Sequence, residues 1–360
     1  MNEYTVHKYL NVRVGRPSLS APCYQFLAPG SVLQTDGRIY KGDPFEGVDD
    51  WLKDEAGNYY WSGGVIGASK NEAGRSDYWF SQLGIDTIWQ TFGEKGSRAR
   101  VLVLDTGIND FLPVFEGAVA EGHKINFVNG SRDLFSNDQD CHGTHCAGLI
   151  AARPGQYSVG VAPECQLLIG KISEDGMLGD GATMRRALEA FLAPQYEFDI
   201  ISISATMMQE DAELRRLIDE HIQKNRIVLA AIGNDPLSRN LPYKKYPGYF
   251  DSCISVGACE YDRLISGYTC SPQKATIHCF GTHIGSYQKS SIPRPLKGTS
   301  QATAIMAGIC ALAVSFLKKR NRSFNQETFR QLLQSSADPL ENFHAALVNP
   351  VSLFHALKTL

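Results

Sequence analysis

Hydrophobic and polar positions change rhythm along the chain near residue 66. Before that point they fall in short alternating runs, LNVRVGRP, YQFLAPGSVLQTDGRIYKGD and WLKDEAGNYYWSGGV, separated by Pro-Ser, Pro-Gly, Asp-Gly and Ala-Gly turns. A period of two between tight turns predicts short half-buried strands. Several of them at close spacing predict a small β-barrel over residues 1–66. Residues 67–77, GASKNEAGRSD, are polar and aperiodic and read as a linker. From residue 78 to 360 buried-strand runs alternate with helical patterns: ARVLVLDTG, then CHGTHCAGLIAAR, CQLLIGKIS, DGATMRRALEAFLAP, FDIISISAT, EDAELRRLIDEHIQKN and RIVLAAIGND. The order β-α-β-α-β-α-β predicts an α/β domain, a mainly parallel sheet with helices on both faces. Sites in such folds gather at the carboxyl ends of strands, and Asp105 and Asn234 each stand at one.

Composition narrows the class. A chain of 360 residues suits one large domain plus a smaller module, and 43% apolar with 20% charged residues predicts a packed core. The net charge of −3, with no basic stripe, gives no case for a nucleic-acid partner, and none is expected. The expected membrane partner is none, because no window reaches the roughly 20 apolar residues of a span. The start, MNEYTVHKYLNVRVGRP, lacks the apolar run and cleavage site of a secretory signal, so a cytoplasmic protein is expected. Nine cysteines without a CxxC pair point to reduced, buried thiols rather than a zinc framework, and one disulfide stays open.

Three short pieces carry chemistry. VLVLDTGI ends a buried strand in Asp105, CHGTHCAG opens a helix with His142, and KGTSQATAIMAGICAL opens another with Ser300. A serine hydroxyl is a poor nucleophile and needs a base to take its proton and a carboxylate to orient that base. Asp, His and Ser in this order are such a set. Backbone N–H groups at a helix start are unpaired and can face a developing oxyanion. VLAAIGND adds Asn234, whose side-chain amide can serve as the second donor. His142 and His145 do not form the HExxH pattern, so zinc is not expected there.

With those motifs in hand, residues 78 to about 357 resemble the subtilisin family of serine proteases. GVAPECQLLIGKI, YPGYFDSCISVGAC and WFSQLGIDTIWQTFGEKGSRARV are similar to segments that flank the family's motifs. The resemblance implies a serine endopeptidase working through an acyl-enzyme. Ser300 would be the nucleophile, His142 the general base and acid, Asp105 its orienting partner, and Asn234 the oxyanion donor. It also implies an extended peptide or protein substrate against Ser204, Ala205 and Thr206, beside a specificity pocket near Ala231, Ile232 and Gly233. No cofactor is required. Calcium is common in the family, but no EF-hand-like loop is present. Residues 1–66 resemble the bacterial Src-homology-3-like domain through LNVR at 10–13, LAPG at 27–30 and Trp51 through Val65. That implies a module that docks a peptide or protein; a purely structural cap is the other reading.

The chain departs from the family in places. Ala304 stands where the family has proline after the serine, and Thr206 and Met207, both expected in the cleft, stand where it has glycines. A β-branched Thr206 is expected to narrow the cleft and favour a selective processing protease. No segment resembles the family's inhibitory propeptide; the barrel occupies its place. Cys146, one turn from His142, is either an inert buried thiol or a thiol close enough to the base to matter. The alternative function is a catalytically silent scaffold recruited through the barrel.

Overall fold

The computed structural model describes residues 2–6, 8–45, 48–67, 78–131, 133–135, 141–154, 159–174, 178, 181–235, 243–290, 293–323, 325–340 and 345–359. The expected linker lies, from residue 68 on, outside them. The chain divides into two compact units, residues 1–76 and 77–360.

The first unit holds β1 (Asn2–Val6), β2 (Leu10–Val14), β3 (Cys23–Leu27), β4 (Val32–Thr35), β5 (Tyr40–Phe45), β6 (Val48–Lys53), β7 (Asn58–Trp61) and β8 (Val65–Gly67). The short alternating runs do form strands. They group into two antiparallel sheets, ordered β4-β1-β8 and β3-β2-β7-β6-β5. Val6, Leu10, Val12, Leu33, Trp51, Leu52, Tyr60 and Trp61 make its core. Both buried indoles find acceptors, Trp51 Nε1 donating to the Asp43 carbonyl and Trp61 Nε1 to that of Val48, each at 3.0 Å.

The second unit begins with α1 (Tyr78–Gln82), α2 (Ile85–Phe92), β9 (Arg100–Asp105), β10 (Val119–Asn126) and α3 (His142–Ala151). It continues through β11 (Gln166–Lys171), α4 (Ala182–Ala190), β12 (Ile200–Ile203), α5 (Ala212–Gln223), β13 (Ile227–Ala231), β14 (Ile254–Cys259) and β15 (Ile277–Phe280). After β16 (Ile284–Ser286) and β17 (Arg294–Leu296) come α6 (Thr299–Lys318), α7 (Gln326–Ser336), β18 (Asp338–Pro339), β19 (Ala346–Leu347) and α8 (Pro350–Leu357). Nine strands form one sheet in the order β10-β11-β9-β12-β13-β14-β15-β19-β18. Every pairing in it is parallel except β18 with β19.

Alternation along β9 explains the two layers. Val101 and Val103 pack into the cluster shared with α3 and α6. Leu102 and Leu104 pack into the opposite cluster with Met184 and Leu188 of α4 and Leu214, Leu217 and Ile218 of α5. Asp105 follows at the carboxyl end, where the apolar alternation stops. One expectation is corrected here. By length and composition α6 is apolar enough to cross a membrane, although no such window was expected. All of its apolar window is buried inside the fold, because its Ala and Gly residues let neighbours approach closely. A Cβ added at Gly308, for example, would come within 2.5 Å of Val161 Cβ.

Candidate active site

Asp105, His142 and Ser300 come from three elements that the parallel sheet brings to one end. Asp105 closes β9, and its carboxylate Oδ1 accepts from the Thr106 backbone N–H and pairs with His142 Nδ1, both at 2.7 Å. His142 is the first residue of α3. That helix has no side-chain cap of its own, and Cys141 before it is left-handed, with φ of 46°. The cap comes from the β9 loop instead: the Gly143 N–H donates to Thr106 Oγ1 at 2.9 Å. Gly143 has to be glycine, because a Cβ there would collide with the carbonyl oxygen of Gly107. The close approach is what holds the imidazole against Asp105.

The electrostatics of that pair set its charge. The Asp105 side chain is 2% exposed and that of His142 is 24% exposed. Burial alone pushes the imidazole pKa down, but the Asp105 charge and the hydrogen bond to it outweigh that, and the value stands well above the ordinary one. His145, on the same helix, behaves oppositely. It is buried, its Nε2 lies 3.1 Å from the Arg294 carbonyl, and burial lowers its pKa to about 3, so it is a neutral interior histidine.

Ser300 is the second residue of α6 and is 5% exposed. Its Oγ donates to the Ser204 carbonyl at 3.0 Å, and Ser204 Oγ donates to the Ser300 carbonyl at 3.2 Å. The first residue of the segment after β12 therefore clamps the start of α6. Cys146 Sγ lies 4.0 Å from both His142 Nδ1 and the Ser300 carbonyl oxygen, and burial raises its thiol pKa. Cys146 thus sits between the two helices, next to the base.

Asn234 stands beyond β13, and its amide orientation is dictated by its neighbours. Its Oδ1 accepts from the Thr299 N–H at 2.8 Å and from Thr299 Oγ1 at 2.9 Å. A backbone N–H can only donate, so the oxygen faces Thr299 and the NH2 group points away from it. Thr299 Oγ1 also accepts from the Gly233 N–H at 3.2 Å. Gly298 gives this group room, since a Cβ there would lie 2.9 Å from Asn234 Nδ2.

The expected substrate walls are placed less simply. Ser204 and Ala205 are buried and Thr206 is half-buried beside them. Met207, expected in the cleft, exchanges backbone hydrogen bonds with Tyr246, and its side chain is in the core. Ala231 and Ile232 are 1% and 0% exposed, so their side chains do not line a surface. Thr106, Thr299 and the Ser204 carbonyl were not singled out in the sequence. Their signal was weak, a threonine inside DTG and another inside GTS.

The Asp105, His142 and Cys146 ligand atoms lie within 4.8 Å of one another. Imidazole and thiol do not suit calcium, a hard cation bound by oxygen ligands, so the set does not fit that ion.

Comparison with known proteins gives the family. Residues 96–350 match the family model described as the subtilase family, Peptidase S8. The chain is 28% identical to the "Major intracellular serine protease" of Bacillus subtilis (strain 168), over 68% of this chain and 74% of that protein. It is 31% identical to the "Intracellular serine protease" of Paenibacillus polymyxa, over 69% of this chain and 76% of that protein. It is 30% identical to "Subtilisin DY" of Bacillus licheniformis, over 63% of this chain and 80% of that protein. A sheet of this order, with Asp105, His142 and Ser300 at one end and a match over residues 96–350, places the chain in the subtilase family of serine endopeptidases.

Proposed function

We propose that Ser300 is the nucleophile of this endopeptidase. His142 takes its proton and returns it to the leaving amine, and Asp105 holds His142 in the productive tautomer. The 2.7 Å pairing of His142 Nδ1 with Asp105 Oδ1 carries this reading. It leaves Nε2 as the nitrogen that faces outward to a hydroxyl. Ser300 Oγ turns from the Ser204 carbonyl toward Nε2 when substrate enters; such bonds commonly tighten only in the substrate complex. The attacked carbonyl oxygen is received by the Ser300 N–H and Asn234 Nδ2, both already oriented. An acyl-enzyme on Ser300 then forms and is hydrolysed by water through the same base.

The finer readings follow on this one. Residues 1–66 are a Src-homology-3-like module that docks a peptide or protein, and residues 78–360 are the protease domain. The substrate is a protein or peptide bound in extended form along Ser204, Ala205 and Thr206. Two relatives are named intracellular proteases, which supports a cytoplasmic place and selective processing for this chain.

Fluorophosphonate labelling of the full-length chain, with the adduct mapped by mass spectrometry, tests the assignment. The expected result is one adduct on Ser300 that disappears in His142→Ala. An adduct elsewhere, or none together with no peptide hydrolysis, would sink it in favour of a silent scaffold.

A further inference from the structure

Beside Asn234 lies a cation that the catalytic reading does not use. Tyr246 exchanges backbone hydrogen bonds with Met207, N–H to carbonyl in both directions, at 2.8 and 2.9 Å. This pins the neighbouring residue, Lys245, at the foot of the wall that begins at Ser204. Its side chain crosses to the other wall. A Cβ added at Gly233 would lie 2.7 Å from Lys245 Cδ, 2.9 Å from its Cβ and 3.1 Å from its Cγ. The Lys245 stem therefore lies flat on Gly233, and its Nζ donates to the Asn234 carbonyl oxygen at 2.5 Å. Among the described residues the partner of this ammonium is a carbonyl rather than a carboxylate. Glu210, nearby on the Tyr246 side, accepts from Tyr246 Oη and pairs with Arg215.

The position of the cation follows from the chemistry of the cleft. The carbonyl under attack has its oxygen at Asn234 Nδ2. The side chain of that same substrate residue is then the one nearest the Gly233-Asn234 backbone. Ala231 and Ile232 are buried there, and the Gly233 surface is covered. What that side chain meets is the half-buried Lys245. An ammonium has three donors, and one is spent on Asn234. A carboxylate replaces solvent at the others without leaving a charge unpaired.

We propose that Lys245 is a specificity-determining residue that selects substrates with Asp or Glu immediately before the cleaved bond. The proposal rests on the assignment of Ser300 and Asn234 given above. A half-buried pair of this kind, with Asp235 next along the same segment weakening the field, is expected to favour an acid over its neutral isostere by about tenfold.

Matched peptides that differ only in Glu, Gln or Lys before the cut test it with the full-length chain. The expected ratio of kcat/KM for Glu over Gln is about tenfold, falling as salt rises. In Lys245→Gln the ratio is expected to drop to about one, and in Lys245→Glu the Lys peptide is expected to become the best of the three. A ratio near one in the unaltered chain, or one unchanged in Lys245→Gln, overturns the proposal. A second measurement separates this failure from that of the catalytic reading. Peptides ending in Glu or Gln are titrated by fluorescence anisotropy against the Ser300→Ala chain. Preferential binding of the Glu peptide, lost on adding Lys245→Gln, supports the subsite even if no peptide is hydrolysed. Equal binding overturns it even if Ser300 is labelled.

Discussion

The two sides of the cleft are held in place by different forces. On one side His142 is fixed by a charge, the buried carboxylate of Asp105 at 2.7 Å. On the other, the side-chain amide of Asn234 is oriented by neutral donors, the N–H and hydroxyl of Thr299, while the Lys245 ammonium bonds its backbone carbonyl. A charge-held group answers to pH, and a group held by amides and hydroxyls does not. The cleft therefore has one titratable half and one half that is preorganised at every working pH. On the proposed reading, proton transfer uses the first kind of group and stabilising a transient oxyanion uses the second.

Breaking the charged side gives the largest effect. Asp105→Asn keeps the shape and removes the charge, and kcat is expected to fall on the order of 10⁴-fold with little change in KM. The sign of the pH effect follows from the raised pKa of His142. The imidazole must be neutral to act as a base, so activity rises as pH passes that value. The acid limb of kcat/KM is expected above the ordinary imidazole value of about 6.5, moving back toward it in Asp105→Asn. The ion pair's contribution to stability runs the other way. It is fully present below the unfolded pKa and is lost as pH rises through the folded one. A pH–rate profile of both proteins checks this, and an unshifted acid limb in the variant would show that Asp105 does not hold the charge on His142.

The neutral side should fail differently. Asn234→Ala removes the donor proposed for the oxyanion, and kcat is expected to fall about 10²–10³-fold. KM and the position of the acid limb are expected to stay, because Asn234 does not titrate. A steady-state profile across pH separates the two sides. If Asn234→Ala moved the acid limb as Asp105→Asn does, the division between charge-held and neutral halves would be wrong.

How far this could be read in advance depended on which forces are local. β9 was legible because Val101 to Leu104 is an unbroken apolar run that a parallel sheet buries on both faces. His142 and Ser300 were legible because each opens a helix of small and apolar residues. Asn234 was legible as a polar residue just past a buried strand, although β13 itself ends at Ala231. The clamps were not, because they join residues far apart in the chain. Ser204 meets Ser300 across 96 positions, and Asn234 meets Thr299 across 65. Met207 misled for a related reason. Its place in the chain suggested the cleft, but its backbone pairing with Tyr246 turns the side chain into the core. The strands of the first unit were visible in their alternation, whereas the grouping into two sheets depends on pairings such as β1 with β4 and β8, which alternation does not encode.

The sharpest test of the neutral side is also the smallest. On the proposed reading Thr299 touches no reacting atom, and its part is to position the Asn234 amide, whose Oδ1 accepts from it twice. Thr299→Val keeps the shape and the backbone N–H bond to Oδ1 but removes the hydroxyl that Oδ1 accepts from. Losing one such bond is worth about 1 kcal/mol, so kcat is expected to fall about five- to tenfold with KM unchanged. Thr299→Ser, which restores the hydroxyl, is expected to recover most of it. A merely structural role would lower stability and leave kcat per folded molecule alone. The decisive comparison places Thr299→Val in the Asn234→Ala background. With the amide already gone, the second substitution has nothing left to misorient, and kcat is expected not to fall further. A full additional five- to tenfold loss there would mean that Thr299 acts through the start of α6 and Ser300 instead.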